Sequence, residues 1–223
     1  MTGGASGIGA AIVAALEADG TDVEVLDLRA GFDVGNAHDW ESVTPADLVC
    51  LNAGVDVGDG DIRLLGDDAY RRIMGANVDG VVFGVRQLAP LLHRGSAFVV
   101  TASLAGLTPI AADPVYTLTK HAVIGFVRAV APQLAERGIR INAVCPGFVD
   151  TPLVREESKR AFREAGFPLL QPEEVAAAVL VAAHSEETGQ AWVVQPGREP
   201  LQFRFPGVPG PRTAGAEGMP PPI

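Results

Sequence analysis

Apolar positions along the chain switch between helical and strand spacing, and the switches mark out its elements. Over residues 7–20, Ile8, Ile12, Val13 and Leu16 recur at helical intervals behind a run of glycines. Val23-Glu24-Val25-Leu26-Asp27 reads as a short strand. Residues 30–45 are irregular, with one helical turn at 39–42. Residues 46–51 form an apolar strand that ends in Asn52-Ala53-Gly54, and a Gly/Asp-rich loop follows to about Asp61. The pattern then predicts a long helix over 66–93, a strand at 96–100, a second long helix over 113–137 and a strand at 139–145 closed by Pro146-Gly147. A charged helix is expected at 151–166. Another spans 172–184, its entry marked by Pro172-Glu173-Glu174. The last strand is 190–195. From Pro206 onward Pro and Gly dominate, which predicts an extended tail or a partner-embracing arm. There is no internal repeat.

Strands alternating with helices imply an α/β fold: one domain over residues 1–205, a doubly wound parallel sheet covered on both faces, and a Pro/Gly-rich tail at 206–223. In such sheets ligands bind beyond the C-terminal strand ends, where strand order reverses.

Composition narrows the partners. The chain has 223 residues and a net charge of −10, which argues against a nucleic-acid partner. No apolar run approaches the roughly 18 residues of a membrane helix. The N-terminus lacks the basic-then-apolar pattern of a secretory leader, so a cytoplasmic protein is expected. Cys50 and Cys145 lie in apolar stretches and are expected to be buried free thiols. His38, His93 and His184 have no ligand spacing, and His121 points about 100° away from its neighbour Lys120 on a helix, so no metal site is expected.

Chemistry gathers at the predicted strand ends. Thr2-Gly3-Gly4-Ala5-Ser6-Gly7-Ile8-Gly9 opens the first helix. Glycines let backbone approach a phosphate, and a helix N-terminus offers free N–H groups. Asp27 ends the next strand 18 residues after Gly9, near the roughly 20 expected for an acid on the adenosine ribose. A carboxylate there repels a 2′-phosphate, which places NAD ahead of NADP, while Arg29 is the residue that would hold such a phosphate. Tyr116 and Lys120 sit four apart and share a helix face. A phenol ionises near pH 10. An adjacent ammonium favours the phenolate and pulls that value toward neutrality, giving a proton donor or acceptor that works near pH 7.

These motifs resemble those of the short-chain dehydrogenase/reductase family from Thr2 to about Gln195. The family's T-G-x-x-x-G-x-G stands as Thr2, Gly3, Gly7 and Gly9, with Ser6 and Ile8 between them, and its N-N-A-G as Leu51-Asn52-Ala53-Gly54, Leu51 replacing the first Asn. The resemblance implies a Rossmann-type fold whose central strand is cut short at the N-terminus. It also implies that Asn52-Ala53-Gly54 passes near the adenosine ribose and that Asp33-Val34 contacts the adenine. Asn77 would hold a water of the proton relay. Ser103, 13 residues before Tyr116, would polarise the substrate oxygen, with Tyr116 as acid/base and Lys120 on the nicotinamide ribose. Pro146-Gly147-Phe148-Val149-Asp150-Thr151 would fix the carboxamide through Val149 and Thr151.

The activity so implied is NAD-dependent interconversion of a secondary alcohol and a ketone. The alternatives are an NADP-linked carbonyl reductase and a catalytically dead oligomeric binding homologue. Leu104, Leu107, Ile110, Phe148, Leu153, Phe162, Phe167 and Leu169 suggest a pocket for a small apolar alcohol or ketone. Trp192-Val193-Val194-Gln195-Pro196-Gly197-Arg198 resembles the 15-hydroxyprostaglandin dehydrogenase-like branch. The helices at 66–93 and 113–137 imply a homodimer or homotetramer. One expectation concerns the missing strand before Thr2. The favoured expectation is that the natural start lies upstream, with Met1 standing where a Val would be; the other accounts are residues 201–205 as a substitute, or the flanking strands drawn together.

Overall fold

The computed structural model describes residues 1–58, 60–215 and 217–219. Four parallel strands and one antiparallel edge strand form a sheet: β1 (Leu48–Leu51), β2 (Ala97–Thr101), β3 (Arg140–Pro146), β4 (Ala191–Val194) and β5 (Leu201–Gln202), in that spatial order. Six α-helices connect and cover them: α1 (Gly7–Ala18), α2 (Asp67–Met74), α3 (Gly80–Leu88), α4 (Pro114–Ala135), α5 (Glu156–Glu164) and α6 (Pro172–His184).

Strand periodicity decides which side chains go to which face. Leu51, Phe98, Val100, Ile141 and Ala143 point to one side and pack with Trp40, Val85, Val123 and Val127 from the α3/α4 layer. Cys50, Val99 and Val144 point to the other side, against Ile12 of α1 and Val175 and Val179 of α6. Both faces are therefore buried, and the strands read as continuous apolar runs. Cys50 and Cys145 are free and buried, and burial pushes their thiols up to about 11 and about 12.

The start of the chain lies beside β1, at the edge of the sheet opposite β5. Thr2 N–H donates to the Cys50 carbonyl (3.0 Å), Leu26 N–H to Met1 O (2.8 Å) and Gly3 N–H to Leu26 O (2.8 Å). Residues 1–3 thus lie between Leu26 and β1, and the flanking segments are not drawn together. Here the chain passes outward to Leu26 and returns on the other side to β1, so strand order reverses beside Gly3, the position where such sheets bind ligands. The strand expected at 23–27 reduces to one parallel bridge, Leu26 with Thr2. Residues 201–202 pair with β4 at the opposite edge and do not serve as a substitute.

Two helices differ from expectation. The stretch 66–93 is broken into α2, a π-helical turn at Gly75–Asp79, α3 and a 3₁₀ turn at Ala89–Leu91. The 34–35 segment presses against the π turn: a Cβ on Gly80, which follows the turn, would lie 2.8 Å from Val34, and one on Gly35 3.1 Å from Gly75. At 151–166 only Glu156–Glu164 is helical. The segment before it turns, with Val154 N–H bonded to Thr151 O (3.2 Å). The tail from Pro206 has no regular structure among its described residues, and Ala216 and residues 220–223 lie outside them.

Candidate active site

The glycine-rich loop is built around tight backbone approaches. Gly3 and Gly7 adopt φ of +65° and +54°, which L side chains resist. A Cβ on Gly3 would lie 2.9 Å from Ala53 Cα, and one on Gly9 2.0 Å from Gly3 O. Thr2 Oγ1 accepts from the N–H groups of both Asn52 (2.9 Å) and Ala53 (3.1 Å), so one buried hydroxyl ties the loop to the end of β1. The Asn52 amide donates to Thr2 O and Gly3 O, while its buried Oδ1 has no partner among the described residues.

Asp27 closes the far side of this loop. Its Oδ2 accepts from Ala5 N–H (3.0 Å) and its Oδ1 from Arg29 N–H (3.0 Å), and Arg29 Nη1 donates to Ala5 O (3.1 Å). Asp33 Oδ1 accepts from Gly35 N–H (2.9 Å), and the buried Val34 gives its carbonyl to Trp40 Nε1 (2.9 Å). Val149 and Thr151 reach the same crevice from beyond β3, and both are buried. A Cβ on Gly7 would sit 3.3 Å from Thr151 Cγ2. Gly147 follows Pro146 and bonds the Val194 carbonyl (3.0 Å).

These features fit a phosphate-bearing dinucleotide. The first-turn N–H groups of Gly7, Ile8 and Gly9 have no intrahelical carbonyl to meet. Ser6 stands at the N-cap but does not cap with its side chain. The orphaned Asn52 oxygen supplies an acceptor beside them.

The second half of the site lies at the C-terminal end of β2 and the start of α4. Ser103 lies next to Tyr116, and its hydroxyl draws the phenol's pKa down. Ser103 caps the turn at Leu104–Gly106, accepting from Ala105 N–H (3.1 Å). Lys120 is buried, with Nζ 5.4 Å from the Tyr116 ring centroid and 3.0 Å from Thr101 O, to which it donates. Asn77, carried inward by the π turn, is also buried. Its Oδ1 accepts from Val55 N–H (2.8 Å), and its amide donates to Val55 O (2.9 Å) and Thr119 Oγ1 (3.1 Å). A Cβ on Gly54 would lie 3.2 Å from that Asn77 oxygen and 3.6 Å from Lys120 Nζ, so Gly54 keeps the space between them open.

One expectation fails within the protein's own groups. Lys120 does not pull the Tyr116 phenol toward neutrality. Burial pushes the phenol up, the Ser103 hydrogen bond draws it down, and the charges of Asp56 and Asp113 push it further up. Lys120 itself is lowered by burial to about 8, and its ammonium is turned to the Thr101 carbonyl.

Sequence reasoning missed Asp56 and Asp113, whose charges push the Tyr116 phenol up. Asp113 is the N-cap of α4 and accepts from Tyr116 N–H (3.3 Å). An Asp directly before Pro114 is a readable helix-start signal, but its contact with the loop after β1 is not. The aromatic positions expected to line a pocket do converge. The ring centroids of Phe148 and Phe162 lie 4.4 Å apart, and those of Phe162 and Phe167 5.6 Å. Lys159 of α5 is buried, with Nζ 2.8 Å from both Asp150 Oδ1 and Glu156 Oε1.

A crevice at the strand reversal, with a Ser–Tyr–Lys group facing it, defines a dinucleotide-dependent oxidoreductase fold. Comparisons with known proteins agree. Residues 37–198 match the family described as enoyl-(acyl carrier protein) reductase. The chain is 31% identical to 3beta-hydroxysteroid dehydrogenase 2 of Eggerthella lenta, over 85% of this chain and 88% of that one. It is 30% identical to cyclohexanol dehydrogenase of an Acinetobacter species, over 87% and 91%. It is 32% identical to the bovine NAD(+)-linked 15-hydroxyprostaglandin dehydrogenase, over 71% and 70%. Among solved structures, a short-chain dehydrogenase/reductase of Brucella melitensis superposes with a TM-score of 0.81 at 27% identity, over 88% of this chain and 94% of that one. The protein belongs to the short-chain dehydrogenase/reductase family and is an oxidoreductase. Among the described residues no helix is long and apolar enough to cross a membrane.

Proposed function

We propose that the protein interconverts a secondary alcohol and a ketone with NAD as cofactor, Tyr116 acting as general acid/base. The observation that carries this reading is the buried Lys120 ammonium set 5.4 Å from the Tyr116 ring centroid, with Ser103 beside them at the end of β2. Related proteins named for alcohol oxidation, the cyclohexanol and 3beta-hydroxysteroid dehydrogenases, support it.

The residues that would hold the cofactor run from the pyrophosphate end to the carboxamide end. Gly3, Ser6, Gly7, Ile8 and Gly9 would receive the phosphates. Asp27 would meet the adenosine ribose, and Asp33 and Val34 the adenine. Asn52, Ala53 and Gly54 would form the floor. Pro146, Gly147, Val149 and Thr151 would fix the carboxamide, with Tyr116 and Lys120 on the nicotinamide ribose. When bound, the nicotinamide supplies the hydride acceptor or donor, and the protein supplies position and proton.

In oxidation the substrate hydroxyl gives its proton to Tyr116 Oη, and Ser103 Oγ hydrogen-bonds the same oxygen. In reduction Tyr116 returns that proton to the oxygen of the carbonyl. Lys120, with Asn77 and Thr119 behind it, holds positive charge beneath the phenol and fixes its side of the site. Phe148, Phe162 and Phe167 form an apolar wall, which suits a substrate with a hydrophobic body.

Asp27 favours NAD, because its carboxylate faces the loop where a 2′-phosphate would lie. Arg29, bonded to Ala5 O on the same loop, is the observation that favours the second reading, an NADP-linked carbonyl reductase. We also propose that α2, α3 and α4 form the contact of a homodimer or homotetramer; Tyr70 and Leu118 are exposed on them. Titration with NADH and NADPH, followed by nucleotide fluorescence, and a screen of cyclohexanol and 3-hydroxysteroids for NAD reduction test the assignment. NADH binding with turnover of a secondary alcohol is expected. Preference for NADPH would favour the reductase, and binding of neither nucleotide would refute both readings.

A further inference from the structure

Helix α5 buries one side chain, and that side chain is charged. Of its nine residues only Lys159 is buried, at 6% exposure. Its Nζ lies 2.8 Å from Asp150 Oδ1 and 2.8 Å from Glu156 Oε1. The two bonds differ in kind. Glu156 belongs to α5, so that bond stays within the helix. Asp150 belongs to the segment after β3, so that bond ties the helix to it. A buried ammonium needs its partners in place to offset lost hydration. The position of α5 is therefore set where Lys159 meets Asp150.

The tethered segment leads to the reacting groups. Asp150 precedes Thr151, and its N–H donates to Leu170 O (2.9 Å), while Leu170 N–H donates to Phe148 O (2.9 Å). A Cβ on Gly147 would lie 3.6 Å from Leu104 Cδ1, and Leu104 follows Ser103. Phe148 meets Phe162 of α5 with ring centroids 4.4 Å apart, and Phe167 at 6.2 Å. Phe148 and Phe167 remain 42% and 44% exposed. The cluster thus presents open apolar surface one residue along from the Gly147–Leu104 approach.

Resting on the reading of the protein as an alcohol/ketone oxidoreductase, we propose that Lys159 is a positioning residue for the apolar body of the substrate. By tying α5 to Asp150 it holds Phe162 against Phe148, and so fixes the ring wall that receives the part of the alcohol remote from its hydroxyl. It takes no part in proton or hydride transfer. A substrate class follows. An alcohol with a ring-bearing body gains from the wall, and a short one does not.

The test compares Lys159→Met, Asp150→Asn and Glu156→Gln in the full chain. NAD reduction is followed with epiandrosterone and cyclohexanol as ring-bearing alcohols and isopropanol as the short one. NADH affinity and melting temperature are measured on the same samples. Lys159→Met and Asp150→Asn are expected to raise KM for the ring-bearing alcohols by about tenfold, with kcat, NADH affinity and the isopropanol KM all within about threefold. Glu156→Gln removes only the bond inside the helix and should leave every KM within about twofold. A tether that merely stabilised the fold would lower the melting temperature and leave KM for both kinds of alcohol alike. Asp150 is the more exposed partner, so its variant decides the matter where Lys159→Met does not fold. An unmoved KM for the ring-bearing alcohols overturns the proposal. So does an equal rise for isopropanol, an equal loss of NADH affinity, or an equal effect of Glu156→Gln. In each of those cases the alcohol/ketone reading survives. A wild type that oxidises none of the three alcohols overturns both.

Discussion

Gly7 and Thr151 touch across the cofactor crevice: a Cβ at position 7 would lie 3.3 Å from Thr151 Cγ2, at a backbone φ of +54°. Gly7 is the first residue of α1, where the glycine loop meets the helix, and Thr151 ends the segment beyond β3, so the two sit close across the crevice. Gly7→Ala adds a methyl and forces an L residue into the left-handed region, at about 1–2 kcal/mol. The expected result is a lower melting temperature and NADH affinity weakened by about tenfold, read by calorimetry and by nucleotide fluorescence. Unchanged affinity would place the pyrophosphate elsewhere.

Asp27 bonds both Ala5 and Arg29, and Arg29 bonds Ala5 in turn. Asp27→Asn removes the charge that opposes a 2′-phosphate and leaves the Arg29 guanidinium in place. The ratio of NADPH to NADH affinity is expected to rise by about tenfold or more. An unaltered ratio, measured by titrating both nucleotides, would remove Asp27 from cofactor choice.

Asp113 also makes stability depend on pH. Its carboxyl is raised to about 6 in the folded chain, above the roughly 3.9 of an unfolded Asp. Between those values the folded chain holds more protons than the unfolded one, so stability falls as pH rises through the window and stays reduced above it. The full shift would correspond to about 3 kcal/mol, but solvent screening at this half-buried site reduces it to about 1 kcal/mol. Asp113→Asn should therefore exceed wild type by about 1 kcal/mol at pH 7 and equal it near pH 4. Urea unfolding at both pH values decides it, and a less stable variant at pH 7 would contradict the assignment.

The sheet and its helices were legible because both carry strong periodic signals. Val99 and Val100 go to opposite faces as strand alternation requires, and Pro172 opens α6 where it was expected. The break in the helix over 66–93 was not legible, since a π turn leaves apolar spacing nearly intact and its cause is a tertiary approach of Val34 and Gly35. The strand at 23–27 had strand composition, yet only Leu26 pairs in it, through a single bridge to Thr2, and pairing is a tertiary matter that composition does not report. In the site, local motifs placed Tyr116, Lys120 and Ser103 together. The field on Tyr116 was not legible, because it comes from Asp56, sixty residues away in sequence, and from burial, which spacing does not report.

The account depends most on the Tyr116 hydroxyl. The direct measurement is NADH formation from a secondary alcohol by wild type and Tyr116→Phe, with NADH binding measured on the same samples. Loss of nearly all turnover with binding retained is the predicted result. Turnover within about tenfold of wild type would contradict it, since a positioned general acid/base contributes about a hundredfold or more.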